Sequence, residues 1–422
     1  MNRVFVLSST RQPLMPCHPA RARQLLTAGR AAVYRTAPFT LILQDRAEGE
    51  VQPVAAQVDP GSKTTGIALV GEFPQQGRVV LFGAHLHHRG EAIRQRLANR
   101  RARRQGRRQR NTPYREPRCD NRTRSPGWLP PSLHSRVENV ATWVKRLASL
   151  APLSECHVET VRFDTQALQH PEISGVEYQQ GELAGYEVRE YLLEKWRRLC
   201  AYCGNEGVPL EIEHLTPRSR GGSNRVSNLT LACTPCNQKK GDRTAAEFGH
   251  PELQAKANAP LKDAAAVNSI RFAIGTVIRA LGLPTAFWTG GRTKHNRIEQ
   301  GYPKDHWIDA ACVGEAGAAV SLDGITPLHI RATGRGKYQV GRTDKYGFPR
   351  GAAGRIKRVH GFQTGDLARL CLPKGKYAGV HTGRIVGIRA NGRFDLAALG
   401  GKITATYQRY TLLQQGDGYA YT

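Results

Sequence analysis

Cys200, Cys203, Cys233 and Cys236 form two Cys-x-x-Cys pairs with 29 residues between them. Each pair brings two thiolates to one ion, and four thiolates in closed tetrahedral geometry are the donor set of structural zinc. A redox dithiol accounts for one such pair but not for two. Between the pairs stand Glu213 and His214, at the end of a short apolar stretch, and Asn237 and Lys240 come just past the last cysteine. Phosphodiester hydrolysis needs a base to activate water, a divalent cation to neutralise the phosphate, and positive groups to hold the backbone. His214 suits the base, Glu213 and Asn237 are oxygen ligands for Mg²⁺, Lys240 would contact a phosphate, and Asn228 would pin the loop that bears His214. The alternative is a zinc ribbon that only binds nucleic acid, with Glu213 and His214 as ordinary surface residues.

A second set of candidates is dispersed. Asp59 and Glu159 each stand at or near the end of an apolar stretch that reads as a strand, where side chains of neighbouring strands converge. His306 and Asp309 are three apart on a helix expected over residues 304–319 and share one face. A cluster of three carboxylates repels itself without cations, which points to two Mg²⁺ ions about 4 Å apart, arranged for in-line attack. In Asp59-Pro60-Gly61-Ser62-Lys63-Thr64-Thr65-Gly66 the glycines would let backbone approach that phosphate. The competing reading has His306 and Asp309 capping a helix and Glu159 in a structural role.

The elements that must position these groups follow from periodicity. Strands are expected at 54–58, 67–70, 79–82, 156–161 and 285–289. Helices are expected at 133–148, with Val137, Val140, Val144 and Leu147 on one face, at 185–199 and at 263–281. A basic turn should follow residue 289. Residues 1–50 hold a strand at 4–7, a proline-punctuated link, a short basic helix at 20–28 and a strand at 40–43, too little apolar mass for a core of their own. Beyond residue 324, short β-prone pieces separated by glycine suggest a small barrel.

Sixty-two Lys and Arg face 34 Asp and Glu, a net charge of +28, so a polyanion is the expected partner. No run of 18 apolar residues exists, which argues against membrane lipid. The start of the chain reads as a strand and not as a signal peptide, so a cytoplasmic or nucleoid location is expected, and the scattered remaining cysteines fit a reducing compartment. Arg89, Arg94, Arg96, Arg100, Arg101, Arg103, Arg104, Arg107, Arg108 and Arg110 lie in a segment of good helix formers with no acid after Glu91 until Glu116. Like charges four apart destabilise a free helix, and phosphate on several sides would neutralise them. A disordered basic arm is the alternative.

The run from Cys200 to Gly241 resembles the ββα-metal nucleases called HNH endonucleases, through Glu213-His214, Asn228-Leu229 and Cys-x-x-Cys-Asn-x-x-Lys-Gly. Glu213 stands where Asp is commoner. The Asp59 motif, Glu159 and Asp305-His306-Trp307-Ile308-Asp309-Ala310 resemble the three parts of a RuvC-type RNase H-like nuclease. Taken in order with Pro13-Leu14-Met15-Pro16 and the arginine segment, the chain resembles the IscB family of transposon-associated RNA-guided DNA endonucleases. That resemblance implies an α/β multidomain fold: a split RNase H-like (RuvC) domain with an arginine-rich bridge helix, an inserted ββα-metal HNH domain and a small C-terminal β-barrel domain. The parts would be 1–50 (opening domain), 51–84, 125–194 and 249–323 (RuvC-like), 85–124 (bridge helix and linker), 195–248 (HNH) and 324–422 (binding of RNA and of the target-adjacent motif). It implies a structured guide RNA, called omega RNA, double-stranded target DNA and one protein chain per ribonucleoprotein. The HNH centre would cut the guide-paired strand and the RuvC-like centre the displaced strand. A protein-guided endonuclease, such as a junction resolvase or homing-type enzyme, and a non-catalytic zinc-containing RNA binder are the other readings.

Overall fold

The strand expected to end in Asp59 becomes the middle of a large sheet. The computed structural model describes residues 3–110, 125, 127–160, 188–189, 192–193, 195–258, 262–322, 324–334, 342–344, 349–350, 358–398 and 401–422. The chain forms two compact units, residues 1–159 with 272–422 and residues 160–271. Residues 111–124 of the bridge helix and linker expected over 85–124, and residues 185–187, 190, 191 and 194 of the helix expected over 185–199, lie outside the described residues.

In the larger unit β5 (Val54–Asp59) is buried along its whole length, so its sequence shows no polar alternation. β6 (Thr64–Phe73) and β7 (Gly77–His87) follow as antiparallel neighbours on one side. β8 (Leu153–Glu159) lies parallel to β5 on the other side, and β11 (Thr285–Trp288) parallel to β8. The order β11-β8-β5-β6-β7 continues into β13 (Leu328–Ala332) and β21 (Tyr419–Tyr421), with β12 (Val320–Ser321) also beside β7. Three antiparallel strands followed by two parallel ones is an order consistent with the split RuvC-like domain expected. A parallel pair needs a crossover. The chain between β7 and β8 supplies α2 (Gly90–Arg108) and α3 (Pro131–Ala148), the latter burying Val137, Val140, Trp143, Val144 and Leu147.

Residues 1–50 are more than an appendage. β1 (Val4–Leu7), β2 (Pro13–Cys17), β3 (Ala31–Arg35) and β4 (Thr40–Leu43) form a sheet of order β2-β1-β4-β3. With α1 (Pro19–Thr27) it encloses a core that includes Val4, Val6, Leu14, Leu25 and Leu41. The expected proline-punctuated link is β2 itself, an edge strand, where the missing N–H groups of Pro13 and Pro16 cost no ladder bond.

The helix expected over 304–319 stops early. α8 (His306–Ala311) ends where Gly314 turns into the left-handed region at φ 73°, and only a short 3₁₀ turn at Ala316–Ala318 follows. Ahead of it, α7 (Gly290–Glu299) replaces the expected basic turn. The C-terminal region is β-rich. β16 (Leu367–Leu372), β17 (Gly379–Ile388), β18 (Arg393–Ala398), β19 (Gly401–Thr406) and β20 (Tyr410–Gln414) pair in the order β19-β18-β17-β16-β20 over a core that includes Leu370, Ile385 and Phe394. Among the described residues β19 and β20 are the two ends of this antiparallel order, which is preceded by the two-residue pair β14 (Arg342–Thr343) and β15 (Pro349–Arg350).

The smaller unit is built on the hairpin β9 (Leu210–His214) and β10 (Leu229–Cys233), followed by α4 (Thr234–Lys240) and α5 (Glu252–Asn258). Leu192, Leu215, Leu231 and Leu253 are among its core residues. The boundary between the units falls within α6 (Lys262–Arg279).

Candidate active sites

Parallel pairing of β5 with β8 sets Val58 opposite Val158, so Asp59 and Glu159 leave adjacent strand ends together. α8 packs across these strands with His306 Nδ1 3.0 Å from Asp59 Oδ2. One turn later Asp309, 8% exposed, meets Arg297 of α7, with Nε 2.7 Å from Oδ1. Glu159, 6% exposed, is hydrogen-bonded to Thr293 of the same helix. The larger unit therefore gathers Asp59, Glu159, His306 and Asp309 from two strand ends and one helix.

The four groups act on one another's ionisation. Burial, then the Asp59 charge, pushes Glu159 well above the ordinary carboxylate range. The same two causes raise Asp309 to about 6, against the pull of Lys304 and Arg297. For His306 burial opposes protonation, but the Asp59 carboxylate outweighs it and raises the imidazole pKa. Buried carboxylates that disfavour one another's ionisation fit a divalent cation, whose charge would reverse both effects. Among the described residues, however, only the cysteines bring three or more ligand atoms within 4.8 Å of one another. Asp59 and Asp309 are held by His306 and Arg297 instead of closing on a common point.

Gly66 has a different role from the one its motif suggested. It pairs with Asp59 across β5 and β6, and a Cβ there would lie 1.7 Å from the carbonyl oxygen of His306. The missing side chain seats the start of α8 against the sheet, and no approach to phosphate is needed to explain it. Gly61 serves the turn, since its Cβ would meet the Thr64 carbonyl at 2.0 Å. Gly66→Ala is expected to push α8 off the sheet and carry His306 and Asp309 with it. The cost should be at least as large as an overpacked core position, roughly 1–3 kcal/mol, read as a lower melting temperature together with loss of cleavage at this centre alone.

Sequence reasoning missed Arg297 and Thr293 because Gly290-Gly291 obscured the start of α7. The available signal was Thr289, whose hydroxyl caps the helix by accepting from the Arg292 N–H. It also missed His85, buried on β7 with Nε2 3.2 Å from Asp305 Oδ1, just ahead of α8.

In the smaller unit the four sulfurs of Cys200, Cys203, Cys233 and Cys236 lie within 4.8 Å of one another. The Cys203 and Cys233 sulfurs are 3.7 Å apart. Four Zn–S bonds of about 2.3 Å define a tetrahedron with edges of about 3.8 Å, so the cluster fits zinc. For Cys200 burial is outweighed by backbone N–H donors, which draw the thiol down to about 7, whereas burial and the other sulfurs push Cys236 up to about 12. A bound cation would hold all four as thiolates.

The period of two along β9 puts Glu211 and Glu213 on one face, under α4. Asn237 Nδ2 donates to Glu211 Oε2 at 2.6 Å, and Thr234 Oγ1 to Glu211 Oε1 at 2.8 Å. Lys240 Nζ donates to Glu213 Oε1 at 2.7 Å. Lys240 is 1% exposed, so the expected phosphate contact is corrected: its ammonium is buried on Glu213 and holds that carboxylate. Glu213 and Asn237, expected as a ligand pair, have separate partners in this structure. Glu211, which sequence reasoning did not single out, is the carboxylate beside Asn237.

His214 ends β9, and its Nε2 lies 2.9 Å from Asn224 Oδ1. When Nε2 donates to that oxygen, Nδ1 keeps the lone pair that a general base needs. Asn224 was not singled out by sequence. Asn228 ties the intervening loop: its Oδ1 accepts from Thr216 N at 2.9 Å, and its Nδ2 donates to Thr216 O at 3.0 Å and Ser223 O at 2.9 Å.

The arginine segment is helical through α2, 19 residues and so about 28 Å long. Arg94, Arg96, Arg100, Arg101, Arg103, Arg104 and Arg108 are exposed along it, and Arg110 lies just beyond. Arg94 pairs with Glu91, and Arg89 donates to the Thr333 carbonyl at 3.1 Å. The side chain of Arg107 lies outside the described residues.

Residues 4–181 match the family model described as RRXRR protein, and residues 200–243 match that of HNH endonuclease. No curated protein sequence matches the chain. Among solved structures the chain is similar to Thermus thermophilus RuvC in complex with a Holliday junction substrate (10% identity, TM-score 0.24, 63% of this chain and 92% of that one). It is also similar to Streptococcus thermophilus Cas9 in complex with the GGAA PAM (11% identity, TM-score 0.22, 60% of this chain and 31% of that one). A third similarity is to the type II-C Cas9 of Actinomyces naeslundii (17% identity, TM-score 0.17, 43% and 30%). The chain thus spans about a third of each Cas9. The HNH match spans the four cysteines together with Glu213, His214, Asn228, Asn237 and Lys240 of the smaller unit. Among the described residues no helix is long and apolar enough to cross a membrane.

Proposed function

We propose that the chain is an RNA-guided, Mg²⁺-dependent double-stranded DNA endonuclease of the IscB type. The observation that carries this reading is that two sets of residue types suited to phosphodiester hydrolysis stand in two separate compact units: Asp59, Glu159, His306 and Asp309 in one, and Glu213, His214 and Asn237 beside a four-cysteine cluster in the other. The exposed arginine helix gives the larger unit a surface for nucleic-acid backbone.

In the smaller unit His214 takes the proton of the attacking water, with Asn224 holding its ring and Asn228 its loop. Glu213 and Asn237 would hold Mg²⁺, with Lys240 fixing Glu213. In the larger unit Asp59, Glu159 and Asp309 would hold the cations, Arg297 orients Asp309, and His306 moves a proton beside Asp59. Bound Mg²⁺ supplies neutralisation of the phosphate and stabilisation of the leaving oxygen. Zinc in the cysteine cluster is structural. The smaller unit cuts the strand paired to an omega RNA and the larger unit the displaced strand. The C-terminal β-rich region holds RNA and reads the target-adjacent motif, and the seven-part division at residues 50, 84, 124, 194, 248 and 323 follows from that assignment. One chain serves each ribonucleoprotein, in a prokaryotic cytoplasm.

The test is cleavage of a strand-labelled plasmid library in Mg²⁺ by protein co-expressed with RNA from its own genomic neighbourhood, against protein made without it. Cutting confined to guide-matched sites and dependent on the RNA is the expected result. Specific cutting without RNA would replace this reading with a protein-guided nuclease, and tight binding without any cutting would leave a zinc-stapled RNA binder.

A further inference from the structure

The larger unit has a concavity that neither nuclease centre uses. It lies between α2 and the chain entering α3, with a volume of about 410 Å³, within the size range of small-molecule sites. Ile93, Arg96 and Arg100 come from one face of α2, at spacings of three and four, and Trp128, Leu129 and His134 line the other side. We infer that this concavity receives one unstacked nucleotide of a single-stranded nucleic acid, its base against Trp128 and its phosphate on Arg96 and Arg100. The inference rests on the nucleic-acid-binding reading proposed above and deepens it.

The lining specifies the ligand by its two halves. Among the described residues that line the concavity there is no carboxylate, and Arg96 and Arg100 are exposed, so the ligand carries negative charge. Arg89, the third arginine there, is committed to the Thr333 carbonyl and so stiffens the wall. Trp128 is 42% exposed and lines the same concavity, which sets a large aromatic residue beside the arginines. An inorganic anion would gain nothing from the indole, and an apolar ligand nothing from the arginines. A nucleotide uses both, since every base has a face that stacks on an aromatic ring and arginine takes the phosphate bidentately. A duplex keeps its bases stacked inside and offers the indole none.

The experiment is fluorescence anisotropy of the full chain with short labelled homopolymers of single-stranded RNA, single-stranded DNA and a duplex, without Mg²⁺, over a range of salt. Trp128→Ala is expected to weaken single-strand binding roughly 5- to 100-fold, to leave the slope of log Kd against log salt unchanged, and to spare the duplex. Trp128→Phe should restore most of the affinity. Arg96→Ala with Arg100→Ala should instead flatten the salt slope for every probe. A loss confined to RNA, or to DNA, identifies the source of the nucleotide. Wild-type affinity in Trp128→Ala, with the arginine variant still weakened, overturns the nucleotide site and leaves the function standing. Failure of the wild-type chain to bind any probe overturns both.

Discussion

Asp59→Ala should leave a nickase that cuts only the guide-paired strand, and His214→Ala one that cuts only the displaced strand. Each loss should be on the order of 10²- to 10⁴-fold or more, since general-base and metal contributions are of that size. Selectivity follows from architecture: the two sets share no residue and stand in separate compact units with their own cores. Asp59→Ala removes the hydrogen bond to His306 but also a charge that disfavours ionisation of Glu159 and Asp309. Folding should therefore survive, and the cleavage defect should reflect chemistry. Gel analysis of separately labelled strands decides it. Two independent centres are ruled out if either substitution stops both cuts while RNA and DNA binding persist.

How far this was legible in the sequence depended on whether a residue's role follows from its neighbours in the chain. Asp59 and Glu159 were readable because an acid at the end of an apolar run is a local anomaly, and parallel pairing then brings strand ends together without further information. The cysteine pairs were readable because thiolate spacing is itself the signal. Gly66 was visible as a glycine but misassigned. Its reason is the backbone of a residue 240 positions later, and nothing within the motif distinguishes that from a phosphate. Lys240 failed for a related cause. A lysine after a knuckle reads as a free cation, and only the packing of α4 over β9 shows it sealed against Glu213. Such a pair contributes little net stability because both charges are desolvated, yet it fixes the carboxylate's position, which suits a site that must keep one geometry.

Residues 1–50 show the same limit at the level of folding. Their apolar residues were counted one element at a time, and β2 and β3 did not read as strands, so the sum fell short of a core. Four short paired strands, with β1 buried along its whole length and Leu25 of α1 in the same core, reach it. α7 escaped because paired glycines at its start masked a helix whose N-cap, Thr289, lay one residue before.

Stripping zinc, by a chelator or by Cys203→Ser, should unfold the smaller unit and spare the larger. The hairpin of β9 and β10 has only two strands, and an isolated two-stranded sheet is marginal in water. Among the described residues its apolar core is drawn from residues 188–257 alone. Zinc in a site of this kind contributes about 10–16 kcal/mol of apparent binding free energy at neutral pH, more than a unit of this size holds in reserve. Losing it should expose residues 195–258 to proteolysis and hydrogen exchange and abolish cutting by the His214 centre, while the Asp59 centre goes on nicking once Mg²⁺ is restored. Metal analysis of the intact protein should give one zinc per chain. Unchanged protection of residues 195–258 after complete zinc removal would mean that the core around Leu215, Leu231 and Leu253 suffices, and that the cysteine cluster serves something other than the fold.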